Sequence, residues 1–211
     1  MKLVFYSGGH DFENISLDED LIRLAQTKNP QITYIPSCSY LCDNDFSEFI
    51  LDNGNKPNKS AIQPFYLHKT ATSSLEKKFI NYLENNTDKI DWWFKNGDYG
   101  RDNFGIEYRD ENNELKTFYP DFIIKQGSRI GLFDTKGGVT AKNASERAKG
   151  LHTYIQKVNN REEFDGFEHK NKSLELWGGI LVESSDLWRI NSSENYKYNS
   201  KDLSGWDNFK L

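Results

Sequence analysis

Residues 118–138 read FYPDFIIKQGSRIGLFDTKGG. Two apolar runs flank Gly127-Ser128, a pattern that predicts a hairpin. Asp121, Asp134 and Lys136 lie among those hydrophobics. Charged side chains rarely enter a core unless they are paired or bound to a metal. Side chains on a strand alternate faces, so Asp134 and Lys136 point the same way. Asp121 reaches the same spot from the neighbouring strand if the turn sets the register. Two carboxylates aimed at one point repel each other, and a divalent cation between them makes the pair tolerable. Mg2+ fits such a place, held by one or two carboxylates, waters and substrate phosphate oxygens. Mn2+ is the expected substitute. Lys136 then faces the pocket as a point charge, able to orient or deprotonate a water or to steady charge on phosphorus. In the plainer alternative Asp134 ends a strand, Lys136 is a surface residue and Asp121 belongs to a turn.

Working outward, SSLEKKFINYLENN (73–86) predicts a helix capped by Ser73 or Ser74, with Leu75, Phe79, Ile80 and Leu83 on its apolar side. DWWFKNG (91–97) and NFGIEYRD (103–110) read as strands. KTFYPDFIIKQ (116–126) and RIGLFDTK (129–136) read as the two arms of the hairpin. TAKNASERAKGLHTYIQKVN (140–159) predicts one helix capped by Thr140, with Gly150 inside it. LELWGGILVES (174–184) and LWRIN (187–191) are late strands. The tail to Leu211 is polar with isolated aromatics and reads as a docked extension.

Pro120-Asp121, followed one strand later by Asp134-Thr135-Lys136, resembles the PD-(D/E)XK nuclease pattern. The element order of helix, three strands, helix, strand agrees with it. EKKFINYLENN, DWWFKNGDYGRDNFGI, FYPDFIIK, GLFDTKGG and ASERAKGLHTYI together resemble the nuclease end of type III restriction enzyme Res subunits, over about residues 52–190. The resemblance implies a restriction-endonuclease-like mixed α/β sheet flanked by helices, and a metal-dependent DNA endonuclease. It makes Asp121 and Asp134 the metal ligands, with the Thr135 carbonyl as a further one, and Lys136 the catalytic lysine. It asks for an acid from the first helix: Glu76, or Glu84 as the alternative. Phosphate contacts would come from Arg147, Lys149, Lys142 and Arg101, with His152 and Gln156 at the place where related nucleases carry a Gln. Such contacts position a nucleic-acid backbone without reading its sequence. The motor of such enzymes is absent, since no G-x-x-x-x-G-K-[ST] occurs. Target choice would then need a helicase, translocase or methyltransferase partner. A catalytically idle DNA-binding or assembly module of the same fold is the competing reading.

The 211 residues are polar, with mean hydropathy −0.80, and no apolar run approaches the roughly 18 residues of a membrane span. The start MKLVFYSGGHDFEN shows no signal peptide. Two cysteines, Cys38 and Cys42, imply no disulfide framework or zinc knuckle, so the expected setting is cytoplasmic. The net charge of −5 is concentrated in residues 1–50, whereas residues 141–161 carry five basic side chains and one acidic. A local basic face matters more to a phosphate than the global balance. KLVFY (2–6), SLDEDLIRLAQTK (16–28) and QITYIPS (31–37) predict a small β-α-β unit over residues 1–50, ahead of a domain over 51–211. That opening resembles peptidase S51-like proteins, which suggests a hydrolase fragment as a third reading. The nucleophile elbow of that family is missing, because no G-x-S-x-G is present. Ser7-Gly8-Gly9 reads as a turn and His10 as a surface residue.

Overall fold

The computed structural model describes residues 46–68, 72–97, 103–161 and 175–211. The expected β-α-β unit, Cys38, Cys42, His10 and Arg101 lie outside these residues. The chain divides into two compact units, residues 1–49 with 66–71, and residues 50–65 with 72–211. In the first, strands β1 (Phe46–Glu48) and β2 (Tyr66–His68) pair antiparallel.

The second unit is a mixed α/β structure. Helix α1 (Ser74–Glu84) starts at Ser73, whose hydroxyl accepts from the Glu76 amide at 3.1 Å, while the Ser73 amide donates to Glu76 Oε2 at 2.6 Å. This reciprocal cap satisfies two of the orphan donors of the first turn. Strands β3 (Trp92–Lys95), β4 (Ile106–Arg109), β5 (Leu115–Phe118), β6 (Phe122–Gln126) and β7 (Arg129–Thr135) follow. Helices α2 (Gly138–Lys142) and α3 (Ser145–Asn159) come next, then β8 (Glu175–Ser184), β9 (Leu187–Asn191) and β10 (Asp207–Asn208). The main sheet runs β10-β9-β8-β7-β6-β3, antiparallel throughout except for the parallel β7–β8 pair. The crossover between those two parallel strands passes through α2 and α3.

Two expectations are corrected. Residues 116–126 are not one arm of a hairpin. They break at Tyr119-Pro120-Asp121 into β5, which pairs only with β4 in a separate two-stranded sheet, and β6, which pairs with β3 and β7. Proline has no N–H for a ladder, so the corner falls where it stands. Residues 140–159 are likewise two helices. Thr140 lies inside α2, where its hydroxyl donates to the Gly137 carbonyl at 2.7 Å rather than capping a long helix.

Both faces of β7 are covered. Phe133 meets Phe79 of α1, Trp177 and Phe209. Leu132, on the other face, packs with Ile106, Phe118, Leu151, Ile155 and Leu176. Further along that second face Ala141, Ala144 and Ala148 meet Ile180, Val182, Tyr196 and Trp206. The polar tail is therefore docked, with Tyr196, Trp206 and Phe209 all buried. Two glycines permit close approach. A Cβ on Gly150 would stand 2.5 Å from Tyr108 Cβ, so α3 lies directly against β4. One on Gly178, with φ +151°, would stand 1.9 Å from the Leu132 carbonyl oxygen. Among the described residues no helix is long and apolar enough to cross a membrane.

Candidate metal-binding site

The β6–β7 register pairs Gln126 with Arg129 across Gly127-Ser128, and Phe122 with Phe133. One step beyond, the same register sets Asp121 opposite Asp134. Directly opposed residues of an antiparallel pair face the same side. Asp134 therefore shares the α2–α3 face of the sheet with Leu132, and Lys136 follows on that side. The ladder continues past the strand end, because the Lys136 amide donates to the Leu181 carbonyl at 2.8 Å.

Asp134 is 1 % exposed and Asp121 8 %. Asp121 Oδ2 accepts from the Thr135 amide at 2.7 Å and from the Thr135 hydroxyl at 2.6 Å. Asp134 Oδ1 accepts from Lys136 Nζ at 2.7 Å. Its other oxygen, Oδ2, is buried and has no hydrogen-bond partner. Burial, followed by the Asp121 charge, drives the Asp134 carboxyl up to about 7, against the pull of Lys136 and Arg147. Burial draws the Lys136 amine down, but the Asp134 and Asp121 charges outweigh it and the net direction is upward. A buried carboxylate oxygen without a donor, facing a second carboxylate, is the arrangement a hard cation relieves. Two carboxylates are the protein ligands a Mg2+-type ion commonly takes, so Asp121 and Asp134 are the residues that could hold one.

Glu76 is not brought into this pair. Its carboxylate caps α1 and pairs with Lys95 Nζ at 2.7 Å. Burial raises it, but Lys95 and the Ser73 hydrogen bonds leave it below the usual carboxylate range. Among the described residues no group of three or more His, Cys, Asp or Glu side chains is placed to hold a metal. The expected third acid is thus a cap and ion pair. Glu84 is placed elsewhere too, accepting from the Asn58 and Lys59 amides and from Trp93 Nε1 at 2.6 Å. Thr135 serves through its amide and hydroxyl, and its carbonyl oxygen lies 3.4 Å from Lys136 Nζ.

Of the cationic candidates, Arg147 is close enough for its charge to act on both Asp134 and Lys136. It is exposed, as are Lys142 and Lys149. Around α3 His152 lies roughly 60° from Lys149 and roughly 140° from Arg147, at about 100° per residue. Its Nδ1 lies 2.8 Å from the Ser192 carbonyl, to which it donates, so it belongs to the packing against the β9 end. Gln156, one turn on, is exposed. Two features went unread in the sequence. One is the Thr135 hydroxyl, which joins its own amide in holding Asp121. The other, Asn96, gave no signal.

A family model described as the YagJ family matches residues 64–174, a little over half of the 211 residues. The chain belongs to the YagJ family. The match takes in α1, the β6–β7 hairpin and α3, and so spans Asp121, Asp134, Lys136 and Arg147. The family description carries no activity. No curated protein and no solved structure matched the chain.

Proposed function

We propose that this chain is a metal-dependent DNA endonuclease of the PD-(D/E)XK type. The observation that carries the reading is the buried, donorless Oδ2 of Asp134 opposite Asp121, with Lys136 on the same hairpin. Apart from the β4–β5 pair and α2, the second unit runs α1, β3, β6, β7, α3, β8, with β8 parallel to β7, an order compatible with the reading.

Asp121 and Asp134 would hold the cation. When bound, it supplies Lewis acidity toward the scissile phosphodiester and lowers the pKa of water at the site. Thr135 fixes the Asp121 carboxylate through two hydrogen bonds, leaving that side chain little rotational freedom. Lys136, anchored on Asp134, presents a positive charge where negative charge grows on phosphorus. Water adds to phosphorus and one P–O bond breaks, giving a phosphomonoester and an alcohol. Arg147, Lys142 and Lys149 draw the phosphate backbone over α2 and α3, a contact that reads no sequence. Target choice would fall to a helicase, translocase or methyltransferase partner.

Nicking of supercoiled plasmid tests the proposal. The wild-type chain is expected to cut with Mg2+ or Mn2+ and to stop in EDTA, and Asp134→Ala and Lys136→Ala are each expected to abolish cutting. A wild-type chain that retards DNA at low salt but never cuts would overturn it in favour of a binding module.

A further inference from the structure

The Pro120-Asp121 corner is held from one side by a single buried side chain. Asn96, 2 % exposed, follows β3 directly. Its amide donates to the Asp121 carbonyl at 2.9 Å. Its Nδ2 donates to the Pro120 carbonyl at 3.0 Å and to the Phe104 carbonyl at 2.8 Å. Its Oδ1 accepts from the Phe104 amide at 3.0 Å. Every side-chain hydrogen bond of Asn96 therefore goes to backbone, and two of its bonds, one from the side chain and one from the main chain, grip the two peptide units that flank the Asp121 Cα. Asn96 is itself fixed from behind. Lys95 Nζ donates to the Asn96 carbonyl at 2.9 Å and pairs with Glu76 at 2.7 Å. Beyond the corner, the Asp121 carboxylate docks on Thr135. A continuous set of short contacts thus runs from the α1 cap through Lys95 and Asn96 to Asp121 and β7.

Main-chain pairing supplies part of the hold, since the bond from the Asn96 amide to the Asp121 carbonyl continues the β3–β6 register; the Asn96 side chain adds the bond to the Pro120 carbonyl. Asp121 precedes the first residue of β6, and β5 has already left for the other sheet. The direction in which its carboxylate leaves the backbone is therefore set by the corner and by what grips it. We propose that Asn96 is the positioning residue for Asp121, fixing the Pro120-Asp121 corner so that the carboxylate meets Thr135 and faces Asp134. The inference rests on the nuclease reading for its functional meaning, though the placement of Asp121 can be measured without it. Groups that orient a metal ligand commonly contribute 10–100-fold to affinity.

The test compares Asn96→Ser and Asn96→Asp with Asn159→Ala. Asn159 is also a side-chain clamp on backbone, bonding both the amide and the carbonyl of Leu176 at 2.8 Å, at the far end of β8. Mn2+ binding to the full chain is measured by titration calorimetry, and amide hydrogen exchange by NMR. Both Asn96 variants are expected to weaken Mn2+ binding about tenfold or more and to speed exchange of the Thr135 amide more than that of Leu132 on the same strand. Asn159→Ala, which lowers stability elsewhere, is expected to leave Mn2+ affinity and the Thr135 to Leu132 exchange ratio unchanged. Equal effects from the Asn96 and Asn159 changes would overturn the positioning role while leaving the nuclease proposal standing. A wild-type chain that takes up no Mn2+ would sink the nuclease reading, and the Thr135 exchange ratio would then decide the role of Asn96 alone.

Discussion

Replacing Asp134 with Asn removes one full charge from the most buried acid of the site while keeping its shape. In an open chain the Asp134 carboxyl titrates near 3.8, and in the folded protein near 7. The folded state thus keeps a proton that the unfolded state has released, so stability falls as pH rises through that window. The penalty is absent below about pH 4 and complete above about pH 7, where the gap corresponds to about 4 kcal/mol. The pull of Lys136 is already contained in that gap, and Asn Oδ1 can still accept from Lys136 Nζ. The buried Nδ2 that replaces Oδ2 has no placed acceptor, which takes back about 2 kcal/mol, so a net gain of about 2 kcal/mol at pH 8 is expected. Urea denaturation in EDTA at pH 4.5 and pH 8 measures this, with the advantage of Asp134→Asn growing between the two. Millimolar Mn2+ should then reverse the order at pH 8. A ligand at 100 times its Kd adds about 2.7 kcal/mol to the form that binds it, and only the wild type keeps both carboxylates. A variant less stable than wild type in EDTA at pH 8, or a difference that does not move with pH, would refute this account of the carboxylate pair.

Glu76→Gln is expected to lower stability by about 1–2 kcal/mol, through loss of the part-buried Lys95 pair, and to leave Mn2+ affinity within about threefold; a tenfold loss by calorimetry would return Glu76 to the metal site. Gly178→Ala forces a methyl against the Leu132 carbonyl and should cost more than about 3 kcal/mol, read as insoluble expression or a collapsed urea midpoint. Tyr196→Phe removes the hydroxyl that donates to the Ala141 carbonyl at 2.7 Å and should lower stability by about 1 kcal/mol. Its urea midpoint checks this, and an unchanged midpoint would mean that the bond adds nothing net.

The hairpin was legible because its information is local. Gly127-Ser128 sets a two-residue turn, alternation does the rest, and Asp134 and Lys136 fall on one side without any knowledge of the fold. The α1 cap was legible for the same reason, since Ser73 and Glu76 have the spacing of a reciprocal pair. That same spacing should have warned that Glu76 already had partners. The break at Pro120 was missed because the apolar pattern runs unbroken through FYPDF, and only the missing N–H of proline marks the change of sheet. Asn96 was invisible because its partners, at residues 104, 120 and 121, are distant in sequence and entirely backbone. The split between α2 and α3 lies in Asn143-Ala144, which carry no strong helix-breaking signal.

Phe209 stands among Phe79, Phe133 and Trp177, so residues made more than a hundred positions apart close the same layer. That layer is complete only once Phe209 has been made, although Phe79 of α1 already meets Phe122, Phe133 and Trp188 without it. Stop codons or frameshifts upstream of Trp206 are accordingly predicted to destabilise the protein, because they take Trp206 and Phe209 out of its core.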